Sequence, residues 1–355
     1  MAETVSLDAQ LADLDRAAYA PYRDPRDYIL SWTDAIWIER GLGRLKEHYA
    51  KDVRVHTAYG ETYDWDHVVD NSLQKFAAFP NGGGGGAEDV IWESRGRNGF
   101  ISSHRVLKTG THTGFWTYGP PTGRHWVSRT VAHCLVRDNK VSEEWLVRDE
   151  WAVLERLGLD PHEIAAKLAD SSPVLGRAVP ADGQAGAFAG VIADAGREGV
   201  SGRRPDRFRR ETELVRGIFD EMANERMFNL MPRYFDPKAV CNTTRMRRVQ
   251  GLEACRIELI DFLASFPDYR IEVRDIAVLE GPEMGLRVAV IWLLRGSYSG
   301  VPTFGPVTRT PVHVLGASHF ELRDGKVLRE FRVVDELAIL TQIVAARRAS
   351  GASAA

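Results

Sequence analysis

Asp149, His104 and Tyr59 are the side chains of this sequence best suited to moving a proton. Asp149 ends a strand-like segment, 140–149, that also carries Trp145. A carboxyl buried beside tryptophan is raised in pKa, toward the range in which it can both take and return a proton. His104 lies in that range by nature. One of the two would remove a proton next to an electron-withdrawing group and the other would return one. Tyr59 would donate a hydrogen bond to the developing enolate oxygen. His56, Tyr63, Trp92, Trp116, Trp126 and Trp145, with Lys108, make a set that could hold a flat aromatic ligand, or a cation in an aromatic cage. Each residue also has a plainer reading. Tryptophans fill cores, Lys108 near a strand end reaches solvent, and Asp149, followed by Glu150 and an apolar run, caps a helix.

The elements that would position these groups occur twice. Shifted by 186, residues 89–149 lie over 275–335 without a gap, and seventeen of the 61 pairs are identical. Unrelated sequences of ordinary composition would share roughly one in sixteen. The shared residues include Gly110/Gly296, Gly114/Gly300, Gly119/Gly305, Pro120/Pro306, His133/His319, Asp138/Asp324, Glu144/Glu330 and Asp149/Asp335. Turn residues kept at fixed spacing mean one backbone path built twice. Each copy reads as helix, strand, helix and then an antiparallel meander: helices at 28–48 and 66–79 and strands at 52–57, 88–94, 99–110, 124–137 and 140–149 in the first. The second has helices at 208–231 and 251–265 and strands at 238–244, 271–280, 286–296, 310–323 and 326–335. That order is an α+β domain with helices on one sheet face. A lead-in, 1–26, precedes the first copy. The Ala, Gly, Pro and Asp-rich stretch 161–207 reads as a linker with some helix at Glu163–Leu168.

Asp138-Asn139 and Asp324-Gly325 are favoured two-residue hairpin turns. Pairing out from the first sets His133 opposite Glu144 and Asp149 opposite Ser128. Trp126, Ser128, Thr130, Trp145, Val147 and Asp149 then share the inner face, and Arg129, His133, Glu144 and Arg148 the outer. A single bulge would swap these faces. His133, shared by both copies and facing outward, belongs to a sheet–sheet contact. In the second copy Val288, Val290, Trp292 and Leu294 read as inward. Their counterparts are Ser102, His104, Val106 and Lys108, so three inward apolar positions have become polar. Burying polar groups without partners is costly, so function is one reason to keep them.

The 355 residues are 44% hydrophobic and 27% charged with a net charge of −3, which gives no electrostatic case for nucleic acid. Cys134, Cys241 and Cys255 show no CxxC spacing, so neither a disulfide framework nor a zinc site is expected. His104, His112, His125 and His133 lack helical i, i+4 spacing, and no metal is expected from them. The N-terminal stretch lacks an apolar signal core and no apolar run approaches membrane-spanning length, so the expectation is a cytoplasmic protein without membrane contact. Gly82–Gly86 lacks the Lys-Ser/Thr of a phosphate loop and reads as a loop at a pocket rim.

At Gly110-Thr-His-Thr-Gly114, Gly119-Pro-Pro-Thr-Gly123-Arg124 and Glu143-Glu-Trp145-Leu-Val-Arg-Asp149 the first copy resembles the SnoaL-like polyketide cyclases of the nuclear transport factor 2-like superfamily. The second is a weaker match, through Gly296-Ser-Tyr-Ser-Gly300 and Asp324-Gly-Lys-Val-Leu-Arg-Glu330-Phe331. The resemblance implies two tandem cone-shaped α+β barrels, each a curved antiparallel sheet wrapped around helices and a deep apolar pocket. It implies domains at 27–160 and 208–345, forming a pseudo-dimer within one chain that a further homo-oligomer could extend; the residue differences above make the first the active copy and the second a structural or degenerate one. It further implies chemistry without a cofactor on a small hydrophobic or aromatic substrate: cyclisation, dehydration, isomerisation or retro-aldol cleavage, with an Asp on the last strand, here Asp149 or Asp335, as acid/base. A non-catalytic small-molecule binding protein is the alternative. Epoxide hydrolysis is a lesser one, since only Arg148-Asp149 of its Asp-Arg-Asp arrangement is present.

Overall fold

A computed structural model describes residues 7–81, 85–170, 208–281 and 284–349. Two six-stranded sheets with equivalent strand orders dominate it, β2-β1-β6-β5-β4-β3 and β8-β7-β12-β11-β10-β9. The first comprises β1 (Tyr49–Thr57), β2 (Gly60–Tyr63), β3 (Gly85–Ser94), β4 (Gly99–Thr111), β5 (His125–Arg137) and β6 (Lys140–Arg148). The second comprises β7 (Phe235–Thr243), β8 (Arg247–Gln250), β9 (Arg270–Gly281), β10 (Gly285–Ser297), β11 (Pro311–Arg323) and β12 (Lys326–Val334). Both sheets are mixed, because β1 runs parallel to β6 and β7 parallel to β12. This corrects the purely antiparallel expectation. The short edge strands β2 and β8 went unread because four residues carry too little alternation to register.

The helices are α1 (Leu7–Leu11), α2 (Pro25–Thr33), α3 (Leu45–His48), α4 (Trp65–Ala78), α5 (Glu150–Leu157), α6 (Pro161–Asp170), α7 (Arg209–Arg216), α8 (Met231–Tyr234), α9 (Leu252–Leu263) and α10 (Glu336–Ala349). The long helices expected at 28–48 and 208–231 are each broken. Both pass into a π-helical turn, Asp34–Ile38 and Gly217–Asn224, before the chain reverses. Arg40 and Arg226, with φ of 62° and 59°, make the reversals. The linker expectation falls partly on α6, and 171–207 lie outside the described residues, as do 82–84 of the glycine run.

Two of the repeated glycines have a shared cause. The loops after β4 and β10 fold back on the ends of α4 and α9, with Gly114 N donating to Ala78 O and Gly300 N to Ser265 O. A Cβ at Gly114 would stand 1.8 Å from Ala77 O, and one at Gly300 1.9 Å from Ala264 O. Neither position has room for a side chain.

The sheets face each other across a contact that is apolar at its centre, where Ile91, Ile101, Leu135, Trp145 and Val147 meet Ala277, Leu279, Ile291, Leu315 and Val333. Buried polar pairs fix its register. His133 Nε2 lies 2.8 Å from Asp275 Oδ2, Ser103 Oγ 2.8 Å from His319 Nε2, and Val278 N donates to Glu93 Oε2 at 2.7 Å. Arg95 joins Asp275 at 3.1 Å, and Arg287 is paired with Asp89. Arg105 stacks on the Phe331 ring at 3.5 Å.

Candidate functional site

The hairpin after β5 begins as its turn requires, Arg137 opposite Lys140 and Val136 opposite Val141. A bulge at Ser142 then shifts the pairing, so that Leu135 faces Glu143, Cys134 faces Glu144 and Thr130 faces Arg148. The second sheet bulges at the equivalent place, between Glu321–Arg329 and Leu322–Val327. The extra residue swaps the faces of β6. Trp145 and Val147 turn to the opposing sheet, while Glu144, Leu146 and Arg148 turn inward with Cys134, Ala132 and Thr130. This corrects the expected faces of Trp145, Asp149, Glu144 and Arg148.

Inside the first sheet lies a cavity of about 190 Å³, roofed by α2, its π-helical turn and α4. Trp37, Val68, Phe76 and Phe79 supply its apolar wall. His104, Val106 and Lys108 come from alternate positions of β4, Trp126, Thr130, Ala132 and Cys134 from β5, and Glu144 and Arg148 from β6. Of the sequence-predicted residues, His104, Lys108 and Trp126 therefore meet here.

The others stand elsewhere. Asp149 caps α5, accepting from Ala152 N at 3.3 Å, and takes a second hydrogen bond from Met246 N of the other half at 3.1 Å. Burial raises its pKa to about 7, yet it does not line the cavity. Tyr59 packs against the core of the second half beside Asp335, and burial drives its hydroxyl pKa well up. His56 bonds Glu143 at 2.7 Å and stacks on Trp145, both off the cavity. Trp92 is sealed in the core, and Trp116 packs tilted against Tyr118 in the loop after β4. Tyr63 ends β2, and its side chain lies outside the described part of the chain.

Within the cavity the ionisable groups are strongly perturbed. Desolvation, aided by Lys108 and His133, drops His104 to about 3, so its imidazole is neutral across the physiological range. Desolvation, then Lys75 and Arg148, brings Lys108 down to about 7. Burial raises Glu144, which accepts from Tyr49 Oη at 3.0 Å. Lys75 on α4 reaches Glu150 Oε1 at 2.9 Å, and Lys75 with Arg148 holds Glu150 low against the burial that would raise it.

The second half has filled the same space. Its inner cavity is about 30 Å³. Trp292 stands where the first half has Val106, and Phe320 where it has Cys134. Gly316 makes the room: a Cβ there would lie 2.3 Å from the Trp292 ring. Trp292 Nε1 donates to Ser318 Oγ at 3.2 Å, Ser318 to Glu330 at 3.1 Å, and Arg332 is paired with Glu258. The counterparts of His104, Lys108 and Arg148 are Val290, Leu294 and Val334. Sequence reasoning missed Glu144 and Arg148 on the inner face. The available signal was that Glu144/Glu330 is repeated while Trp145/Phe331 and Val147/Val333 stay apolar as an interface would.

Residues 213–343 match the SnoaL-like polyketide cyclase family. The second half thus carries one SnoaL-like polyketide cyclase domain. The match falls on the copy that the sequence reading ranked as the weaker resemblance. The first half departs from the second at the inner positions of β4 that line its cavity. No curated protein matches the chain. Similar solved structures include a SnoaL-like polyketide cyclase from Jannaschia sp. CCS1, 24% identical over 38% of this chain and 92% of its own, with a TM-score of 0.35. A polyketide cyclase of Xanthomonas campestris pv. campestris is 21% identical over 38% and 97%, with a TM-score of 0.33. IdmH of Streptomyces antibioticus is 19% identical over 37% and 96%, with a TM-score of 0.32. No described helix is long and apolar enough to cross a membrane. No described group of three or more His, Cys, Asp or Glu could hold a metal ion.

Proposed function

We propose that the cavity of the first half performs acid/base chemistry on a hydrophobic, aromatic carbonyl compound through an enolate-like intermediate, without a cofactor. The observation that carries this reading is Lys108, a lysine held at about 7 in an apolar cavity that also contains a neutral His104 and a buried Glu144. At neutral pH about half of such a lysine is free amine, against roughly one part in three thousand for an unperturbed side chain. The amine Nζ takes the proton next to the carbonyl. The electron pair moves into the C–C bond and onto oxygen, where the His104 N–H donates a hydrogen bond. The proton returns from the Lys108 ammonium that the first step forms. Cyclisation, isomerisation, dehydration and retro-aldol cleavage share this first step. In this scheme Lys108 takes the role expected of Asp149, and Asp149 is a helix cap.

The same reading makes the chain two tandem barrels, 27–160 active and 208–345 structural, joined as a pseudo-dimer. The SnoaL-like match in 213–343, the equivalent strand orders and the filled second cavity support it. A non-catalytic receptor is the second reading, favoured by the Trp37, Phe76 and Trp126 wall.

The test is solvent-deuterium exchange at the carbon next to the carbonyl in a panel of aryl ketones, followed by NMR. Exchange catalysed by the protein should fall at least about a hundredfold in Lys108→Met, and persist in Asp149→Asn. Catalysis unchanged in Lys108→Met would sink the assignment. Binding without any exchange across the panel would favour the receptor.

A further inference from the structure

The cavity is lined by four basic side chains, Arg40, Lys75, Lys108 and Arg148, and one carboxylate, Glu144. Two of the bases are already engaged. Lys75 is paired with Glu150, and Arg40 donates to Phe79 O at 2.9 Å while lying over the Phe76 ring. The carboxylate is engaged too, through Tyr49. Lys108 and Arg148 form no ion pair among the described residues. Beside them, three buried nitrogens lack any hydrogen-bond partner: Arg148 Nε, Trp126 Nε1 and His104 Nδ1. The first two can only donate.

Unspent donors gathered in one apolar cavity call for a ligand rich in acceptors. No protein group meets these donors, so a ligand that enters the cavity must itself supply the acceptors or leave them unmet at about 1–3 kcal/mol each. Arg148 acts on Glu150 and Glu144 through space but is bonded to neither, so its guanidinium edge is open to an anionic ligand. The planar guanidinium fork of Arg148 matches the two oxygens of a carboxylate.

We infer that the ligand of this cavity is an aromatic or similarly flat apolar carboxylate, its charged end held by Arg148 and the Trp126 N–H, its body against Phe76, Phe79 and Trp37. The inference rests on the cavity being the functional site, as argued above, and adds the class of compound it accepts. Where the substrate is a keto acid, the carboxylate would fix its orientation and leave the carbonyl to His104 and Lys108. The second half supplies an internal contrast, since Val334 and Val312 replace Arg148 and Trp126 there.

Calorimetry with 2-naphthoate and 2-naphthamide, equal in shape and different in charge, tests this on the full-length chain. The acid should bind at least about tenfold more tightly than the amide, and added salt should narrow the difference. Arg148→Met should reduce the preference to within about twofold while leaving the amide affinity nearly unchanged, which doubles as a check on folding. Arg148→Lys, which keeps the charge and loses the fork, should restore part of the preference. Equal binding of acid and amide to the parent protein, or a preference that survives both Arg148→Met and Lys108→Met, would overturn the inference. Because the readout is binding, it is independent of proton exchange: a carboxylate preference with no exchange would refute the catalytic reading alone.

Discussion

Lys108→Met should make the protein more stable, by an amount that depends on pH in a defined way. The folded protein holds this lysine at about 7, against 10.5 for an unperturbed side chain. Between those values the unfolded chain binds a proton that the folded chain does not, so the lysine adds to stability as pH rises and subtracts as it falls. Its full cost is reached below pH 7. A shift of this size corresponds to about 5 kcal/mol at 1.36 kcal/mol per unit. The side chain keeps some exposure at the strand end, so solvent screening reduces this to about 2–3 kcal/mol. Methionine has nearly the same length, fills the same volume and has no charge to desolvate. Urea unfolding of both proteins, followed by tryptophan fluorescence, should give Lys108→Met an advantage of about 2 kcal/mol at pH 6–7 that disappears by about pH 10. An advantage that stays constant over that range would refute a buried charge as its cause. A loss of stability at pH 6 would refute the burial itself, and with it the role proposed for Lys108.

Asp149→Asn should keep any catalysis and gain stability relative to the parent as pH rises from 4 to 8. The folded-state value of about 7 lies above the ordinary 3.8, so ionising the carboxylate costs stability through that window. Gly114→Ala and Gly300→Ala should each lower stability by about 1–3 kcal/mol, seen as a fall in Tm, because backbone rather than a mobile side chain blocks the new methyl. Combining Val106→Trp with Thr130→Gly copies the Trp292–Gly316 pair into the first half. The double variant should fold normally and lose calorimetric binding of the naphthyl probes; retained binding would place their site outside the cavity.

The main strands and the glycine turns were readable because they depend on local chemistry: alternation, turn residues and Phe-Pro breaks at the helix ends. The expected pairing of His133 with Glu144 was lost to the bulge, and His133 faces Trp145 instead; its outward placement held because the bulge is on β6 and β5 keeps its parity. The site was less legible. Ser142 looks like an ordinary strand residue, yet the bulge there reverses β6 and brings Glu144 and Arg148 into the cavity. No count of alternation detects one extra residue. His104 and Lys108 were flagged by comparing the two copies for inward polar positions on a regular strand, and Trp126 by the parity of β5; all three line the cavity. Tyr59, His56 and Trp116 were grouped by composition, and composition does not say which side of a sheet a residue takes. The partnership of Lys75 with Glu150 joins residues on different elements, which only the folded chain brings together.

The contact between the sheets is keyed unequally. Asp89 and Asp275 are counterparts, yet Asp89 meets Arg287 while Asp275 meets Arg95 and His133. The counterpart of Arg287 is Ile101, and that of Arg95 is Gly281. If two first halves docked in this manner, Arg95 would meet Asp89 in place of Asp275, and in two second halves Arg287 would meet Asp275 in place of Asp89, so each aspartate would keep one arginine but from a different strand position. A true homodimer must satisfy both sides of its contact with one sequence. This chain is released from that constraint, so one half can keep an open cavity of about 190 Å³ while the other is packed down to about 30 Å³.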